Sequence, residues 1–494
     1  MDWWVIIAGI SLAFSVPGLF FSYYNLALFI SMFRYPKSLE ERPSPIGWNS
    51  LPLVSILIAT FNERFVIART LDAIKGIDYP KSKLLVVVAD DSTDETKDII
   101  DEKIADLNNE GVRAVVSRRN ERTGFKSGAL RQASRFLDGD YVLLLDADST
   151  LRPGVLTSGL NAITRDPGFG FVSFRVGHYN REQNLITRLF ALQLDQGDSV
   201  VKMGSYSINA PISFQGGFTL VRMSALRNVG FWVSDSIVED ADLSCRLYCA
   251  GYRGIYLSSV RIFSEDPSSL EVWKKQAARV AHGWAKCASA NWKMILSSGK
   301  LSLWRRIALL STFLGPFQGL SWIVVTFVSA LGLILGLSAP SNSIFTNPGF
   351  IILATIPLVT FFVSGAYALY IQKIMTARNV ILLPLLSYTG SCMTTAIMIG
   401  FLNGMRGKAG FFFRTPKYGQ EHSGEERYHR DIQLDKIALA EGILSALALA
   451  MSVAVLLQGV WALALTLAGF GVLTLKSMNL KRLTFTSRTR VRLR

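Results

Sequence analysis

Hydrophobic residues gather in long runs at both ends of the chain and in short runs through its middle. Residues 3–33, from Trp3 to Phe33, carry no charge, with Asp2 before them and Arg34 and Lys37 behind. A run of that length can span a bilayer as a helix, and basic residues behind it rather than ahead oppose a cleaved leader. The pattern predicts a membrane anchor over 1–36 with its N-terminus outside.

In the middle of the chain the runs shorten. Leu53–Ala59, Leu84–Ala89 and Tyr141–Leu145 are continuous apolar stretches that end in polar residues, and helix-like segments occupy 64–76 and 94–109. Such alternation predicts buried parallel strands in an α/β domain over 50–267, entered through the linker Arg42-Pro43-Ser44-Pro45. Ligands of such sheets bind beyond the carboxyl ends of the strands, where the polar clusters of this sequence fall.

Beyond amphipathic, interfacial helices at 268–306, apolar segments follow at about 307–337, 349–372, 380–402, 437–457 and 460–477. Loops 338–348 and 458–459 have no Lys or Arg, whereas 373–379, 403–436 and the tail 478–494 are basic and belong inside. These sides agree only if one segment fails to cross. Residues 380–402 are the candidate, because Pro384, Ser387, Thr389, Gly390, Thr394 and Gly400 suit an interfacial helix. The prediction is five transmembrane helices within 1–477, with the α/β domain and the tail both cytoplasmic.

Composition agrees with this layout. The 494 residues leave room for a soluble core and a membrane region; 50% are hydrophobic and 18% charged. The net charge of +15 lies largely in loops between apolar runs, without the interleaved aromatics of a nucleic-acid platform, so a nucleic-acid partner is excluded. Cys245, Cys249, Cys287 and Cys392 form no Cys-x-x-Cys pair, which argues against a disulfide framework or zinc site.

The acids at the strand ends define a chemistry. Asp146-Ala147-Asp148 follows the third apolar run, and carboxylates there can hold Mg²⁺ or Mn²⁺ on a diphosphate leaving group. Asp91, within Asp90-Asp91-Ser92-Thr93-Asp94, together with Thr60 and Glu63 can wall a nucleoside pocket. Lys126, flanked by Gly124 and Gly128, and Arg279, in Gln276-Ala-Ala-Arg279, can meet phosphates. Inversion at a sugar carbon needs a base for the acceptor hydroxyl. Asp240 is the candidate, with Glu239 and Asp242 in support, and Gln215-Gly216-Gly217 lets backbone approach the acceptor.

Taken together and in order, Asp-Asp-Ser-Thr-Asp at 90–94, Gly-Phe-Lys at 124–126, Asp-Ala-Asp at 146–148, Glu-Asp-Ala-Asp-Leu at 239–243 and Gln-x-x-Arg at 276–279 resemble the processive family 2 glycosyltransferases, such as cellulose, hyaluronan and mannan synthases. The resemblance covers about residues 50–290 and implies a GT-A fold, a UDP- or GDP-hexose donor and a growing β-linked glycan extruded across the plasma membrane. It also implies a gating loop within 403–435, since Phe412-Phe-Arg-Thr415-Pro-Lys417 is similar to that family's Phe-x-Val-Thr-x-Lys. One departure is Val280 where the family has a tryptophan after its Gln-x-x-Arg; Trp284, a helical turn later, is the candidate acceptor platform. That departure keeps a second expectation open: transfer of one sugar to a membrane lipid.

Overall fold

A computed structural model of the chain describes residues 3–36, 51–337, 348–407, 415, 417, 419 and 432–479. Helix α1 (Trp3–Ser31) leads into a seven-stranded sheet of order β3-β2-β1-β4-β6-β5-β7. Its strands are β1 (Val54–Thr60), β2 (Leu84–Asp90), β3 (Arg113–Arg118), β4 (Tyr141–Asp146), β5 (Phe169–His178), β6 (Thr219–Arg222) and β7 (Arg253–Ser264). The three apolar runs of the sequence are β1, β2 and β4, all parallel, while the short β6 runs antiparallel between β4 and β5.

Every residue of β2 is buried, because helices cover both faces of the sheet. On one face Ile56 and Ile58 join α2 (Ile67–Lys75), α3 (Thr96–Asn109), and Val155, Leu156 and Leu160 of the helix that follows β4. On the other Leu57 meets α4 (Phe125–Ala133) and α9 (Glu239–Cys249). Between these, α5 (Val155–Ile163), α6 (Leu185–Gln196), α7 (Met203–Ser207) and α8 (Met223–Asn228) complete the domain. Register pairs Thr60 with Asp90 and Ala59 with Asp146, so the carboxyl ends of three parallel strands share one rim.

The second half is helical: α10 (Leu270–Ser297), α11 (Leu303–Leu314), α12 (Phe317–Ile334), α13 (Pro348–Ile371), α14 (Ala377–Met405), α15 (Ile432–Leu457) and α16 (Trp461–Asn479). Among the described residues four helical segments are long and apolar enough to cross a membrane: Val5–Arg34, Phe317–Ile334, Ala377–Met405 and Ile437–Leu457; Leu358–Ile371 and Leu463–Leu475 are shorter apolar helices. The stretch 307–337 is two helices divided at Gly315-Pro316. Proline disfavours continuation of a preceding helix, and Leu309 and Phe313 of α11 join the core of the sheet domain.

Length and composition allow 380–402 to cross as well. Its helix α14 is nonetheless the most enclosed of the four, with 53% of its most apolar stretch buried against 11% for the N-terminal one. Gly400 and Gly404 of α14 lie against the backbone of Ala278 and His282, where a Cβ would collide with carbonyl oxygens. The reverse side of α10 contributes Cys287, Ala288 and Ile295 to the domain core. Thus α10 is sandwiched between domain and apolar helices. A buried ion pair, Lys274 Nζ to Glu441 Oε1 at 2.7 Å, ties α10 to α15.

Candidate active site

Lys126, in the first turn of α4, is the hub of the strand-end cluster. The turn before it is strained: Gly124 and Phe125 have φ of +66° and +48°, and a Cβ on Gly124 would run into the Ser234 carbonyl. The resulting path carries Lys126 Nζ to 2.7 Å from Asp146 Oδ1 and 2.8 Å from Glu239 Oε1. Burial alone would lower the lysine pKa, but these two carboxylates outweigh it and hold it above its ordinary value. Asp146 shows the complement. Burial would raise its pKa, yet Lys126, helped by Lys417 and Arg279, keeps it below the usual carboxylate range. Both groups are therefore charged at neutral pH.

Asp240 sits beside this pair on the first turn of α9, and its pKa is pushed up to about 6 by burial first and by the Glu239 charge second. Its Oδ2 accepts the Gly216 backbone N–H at 3.1 Å and its Oδ1 that of Ala241 at 2.8 Å. Gly217 leaves no room for a side chain, and Gly216 leaves little. A Cβ on Gly216 would lie 3.0 Å from Lys126 Nζ, and one on Gly217 would lie 2.6 Å from Asp146 Cγ. Leu57, Leu144, Phe214 and Trp232 form the apolar wall of the same pocket. Asp242, by contrast, takes Arg246 Nε at 2.8 Å and Asn291 Nδ2 at 3.0 Å, which fastens α9 to α10.

Asp91 lies further along the rim. Arg119 grips it through two guanidinium nitrogens, Nε and Nη2, at 2.7 and 2.6 Å, and also donates to the Phe125 carbonyl at 2.7 Å. That bond connects Asp91 to the residue preceding Lys126. Arg122 stacks 3.4 Å above the Phe61 ring. Thr60 Oγ1 is buried with no hydrogen-bond partner among the described residues. Glu63 caps α2 through its carbonyl, and its charge reaches Lys417.

Asp148 Oδ2 accepts the Glu265 backbone N–H at 2.8 Å and faces Lys417 Nζ at 2.9 Å. Lys417 also donates to the Glu265 carbonyl, and Gly419 N–H donates to Glu265 Oε2 at 3.3 Å. Lys417, read from the sequence as part of a loop, thus reaches the strand-end acids. Thr415 is also among the described residues, and Phe412 lies outside them.

Gln276 and Arg279 lie on α10; Gln276 Oε1 is buried without a partner among the described residues, and the Arg279 charge acts on Asp146. Trp284 is placed elsewhere. It packs against the domain core, near Gly315, and is not among the residues lining the pocket. Arg119 and Glu265 were missed by sequence reasoning. The signal for Arg119 was its position directly after β3, beside the end of β2; Glu265 follows β7 in the same way.

The rim can thus gather a divalent cation, a diphosphate and a proton acceptor. Asp146 and Asp148 offer the hard carboxylate oxygens that Mg²⁺ and Mn²⁺ prefer, and both already attract a positive group, Lys126 and Lys417 respectively. That donor set fits a divalent ion completed by phosphate oxygens; among the described residues no cluster of three acids, histidines or cysteines would hold one unaided.

Comparison with known proteins bears on the same region. Residues 52–283 match the family described as "Glycosyltransferase like family 2". Glucomannan 4-beta-mannosyltransferase 9 of Arabidopsis thaliana is 30% identical over 292 residues, covering 57% of this chain and 54% of that protein. Glucomannan 4-beta-mannosyltransferase 1 of Oryza sativa subsp. japonica is 29% identical over 272 residues, covering 54% and 52%. The chain spans about half the length of these curated relatives. Among solved structures, the mannosyltransferase PcManGT from Pyrobaculum calidifontis, in complex with GDP-Man and Mn²⁺, superposes with TM-score 0.53 at 20% identity, over 81% of this chain and 99% of that one. At that identity the likeness establishes the fold alone, a GT-A-like mixed sheet with helices.

Proposed function

We propose, from the match of residues 52–283 to glycosyltransferase family 2, that the chain is a membrane-bound inverting hexosyltransferase that moves mannose from GDP-mannose onto a growing β-linked glycan. The single observation that carries this reading is the adjacency of Lys126, Asp146, Glu239 and Asp240 in one pocket, a charged phosphate-seeking pair beside a carboxylate poised near neutrality. The choice of mannose rests on the names of the plant relatives and on the GDP-Man of the archaeal structure.

In this mechanism Asp240 takes the proton of the acceptor hydroxyl while that oxygen attacks the anomeric carbon from the face opposite the diphosphate. A pKa near 6 leaves Asp240 ionised at pH 7 and still basic enough to accept the proton. Glu239 keeps the pKa of Asp240 up and anchors Lys126. Lys126 and Arg279 stabilise negative charge as the diphosphate leaves. Asp146 and Asp148 would hold Mg²⁺ or Mn²⁺, which supplies Lewis-acid neutralisation of that diphosphate. Thr60, Glu63 and Asp91 border the nucleoside, with Asp91 acting through Arg119. Lys417 covers Asp148 until the metal and diphosphate bind. The apolar helices support a membrane location, for which we take the plasma membrane, with the pocket on the cytoplasmic side and lipids as its surroundings.

The test is to supply the full-length protein in nanodiscs with labelled GDP-mannose, GDP-glucose or UDP-glucose and Mg²⁺ or Mn²⁺, then to size the product. A long polymer from GDP-mannose, cleaved by an endo-β-mannanase, is expected. A product of one sugar, extractable with lipid, would replace polymerisation by single transfer, and no transfer from any donor would overturn the reading.

A further inference from the structure

Between α6 and α7 the backbone makes one π-helical turn, Gly197–Lys202. Such turns re-aim side chains within a helix and occur often at functional sites. Here the turn directs two charged residues inward. Asp198 and Lys202 pair at 2.9 Å with side chains only 2% and 8% exposed, and Asp198 Oδ2 also accepts the Val176 backbone N–H at 3.0 Å. The remaining direction of the ammonium is toward the acceptor loop: Lys202 Nζ donates to Gln215 Oε1 at 2.8 Å, with the Tyr256 ring 5.3 Å away.

This contact has one chemical sense. An ammonium carries donors only, so it can hold the Gln215 amide by its oxygen and not by its nitrogen. The amide is thereby fixed with Nε2, a two-proton donor, turned away from the lysine. Nε2 makes no hydrogen bond to the described residues and is not among the buried polar atoms. One peptide further along, the Gly216 N–H is held by Asp240 Oδ2. A fixed, accessible donor therefore stands one residue along the chain from the Gly216 N–H that the candidate base holds.

The other side of the turn meets the apolar helices. Ser199 Oγ accepts Gln372 Nε2 at 3.2 Å at the end of α13, and Gly204, just after the turn, lies against the Leu28 carbonyl of α1 and accepts Ser31 Oγ at 3.1 Å. The acceptor loop is thus braced against the membrane helices through Lys202.

Resting on the transferase reading above, we propose that Lys202 is a positioning residue that orients Gln215, so that Gln215 Nε2 grips an oxygen of the acceptor sugar beside Asp240. The ligand class is a carbohydrate hydroxyl or ring oxygen, which accepts what the amide donates.

The test uses full-length protein in nanodiscs with GDP-mannose and β-1,4-mannotetraose as the acceptor probe, and measures acceptor KM and kcat together with GDP affinity by calorimetry. Lys202→Met and Gln215→Leu should each raise the acceptor KM about tenfold while GDP affinity is retained, the loss of one oriented hydrogen bond. Lys202→Arg, which also only donates, should return the KM toward that of the wild type. Gln215→Leu leaves the Lys202–Asp198 pair whole, so it decides the matter even if Lys202→Met fails to fold. An unchanged acceptor KM in Gln215→Leu overturns the inference, as does an unchanged KM in a folded Lys202→Met. Absence of any transfer by the wild type would instead remove the transferase reading beneath it.

Discussion

The Gly216 backbone N–H donates to Asp240 Oδ2 at 3.1 Å, so the candidate acceptor loop and the candidate base are held in one fixed relation. The loop comes from the chain before β6 and the base from the first turn of α9. Their meeting point lies at the end of β4, where Gly217 fits against Asp146.

The pH dependence of transfer should follow Asp240. Its pKa of about 6 reflects burial and the neighbouring Glu239 charge, and the ionised form is the one that accepts a proton. The rate should fall as pH drops through about 6, with an acid limb of one proton. Removing the negative neighbour in Glu239→Gln should move that limb to lower pH, because a like charge no longer opposes ionisation. A pH profile of kcat for both proteins checks this; a limb that moves upward would contradict it.

Gly217→Ala should abolish transfer and cost about 2 kcal/mol of stability by overpacking. The added Cβ would lie 2.6 Å from Asp146 Cγ and 2.7 Å from Asp146 N, and the latter atom belongs to the sheet backbone and cannot swing away. Thermal unfolding beside a transfer assay measures both effects.

Chelation should abolish transfer, and added Mg²⁺ or Mn²⁺ should restore it. Asp148→Ala should not be restored. Its loss also leaves Lys417 without the carboxylate 2.9 Å away. A residue limited to holding Lys417 would still permit metal rescue, so titrating metal into chelated wild type and variant separates the two roles.

His178 gives the fold a pH-dependent component. Burial alone would lower its pKa, but Asp195 and Asp266 outweigh that and hold it at about 9, above the ordinary imidazole value of 6.5. A pKa raised by folding contributes stability that is full below about 6.5, declines as pH rises toward 9 and is absent above. Asp195 also pairs with Arg175 and Arg181. Denaturation midpoints should therefore fall between pH 6.5 and 9, and His178→Gln should flatten that slope.

Much of this was legible because parallel strands buried on both faces must be continuously apolar, and β1, β2 and β4 each end at an acid or hydroxyl that the register then brings to one rim. What escaped has equally physical causes. β6 is four residues long and antiparallel, too short for a periodic signal, yet it sets Gly217 against Asp146. Arg119 lies in a charged run where nothing local distinguishes a buried partner of Asp91 from a solvated side chain. Lys202 depends on a π turn, which shifts the helical phase by one residue and defeats counting by 3.6. In α11 Leu309 and Phe313 look like the start of a span because a domain core and a bilayer ask for the same residues. Trp284, chosen because it lies one helical turn after Val280, packs against that core.

The most direct measurement compares Asp240→Asn with the wild type for GDP-mannose affinity and for transfer. The side chain keeps its size and an oxygen for Gly216, so the donor should bind with unchanged affinity while transfer falls about a hundred- to ten-thousand-fold. Transfer within a few-fold of the wild type would remove Asp240 as the base.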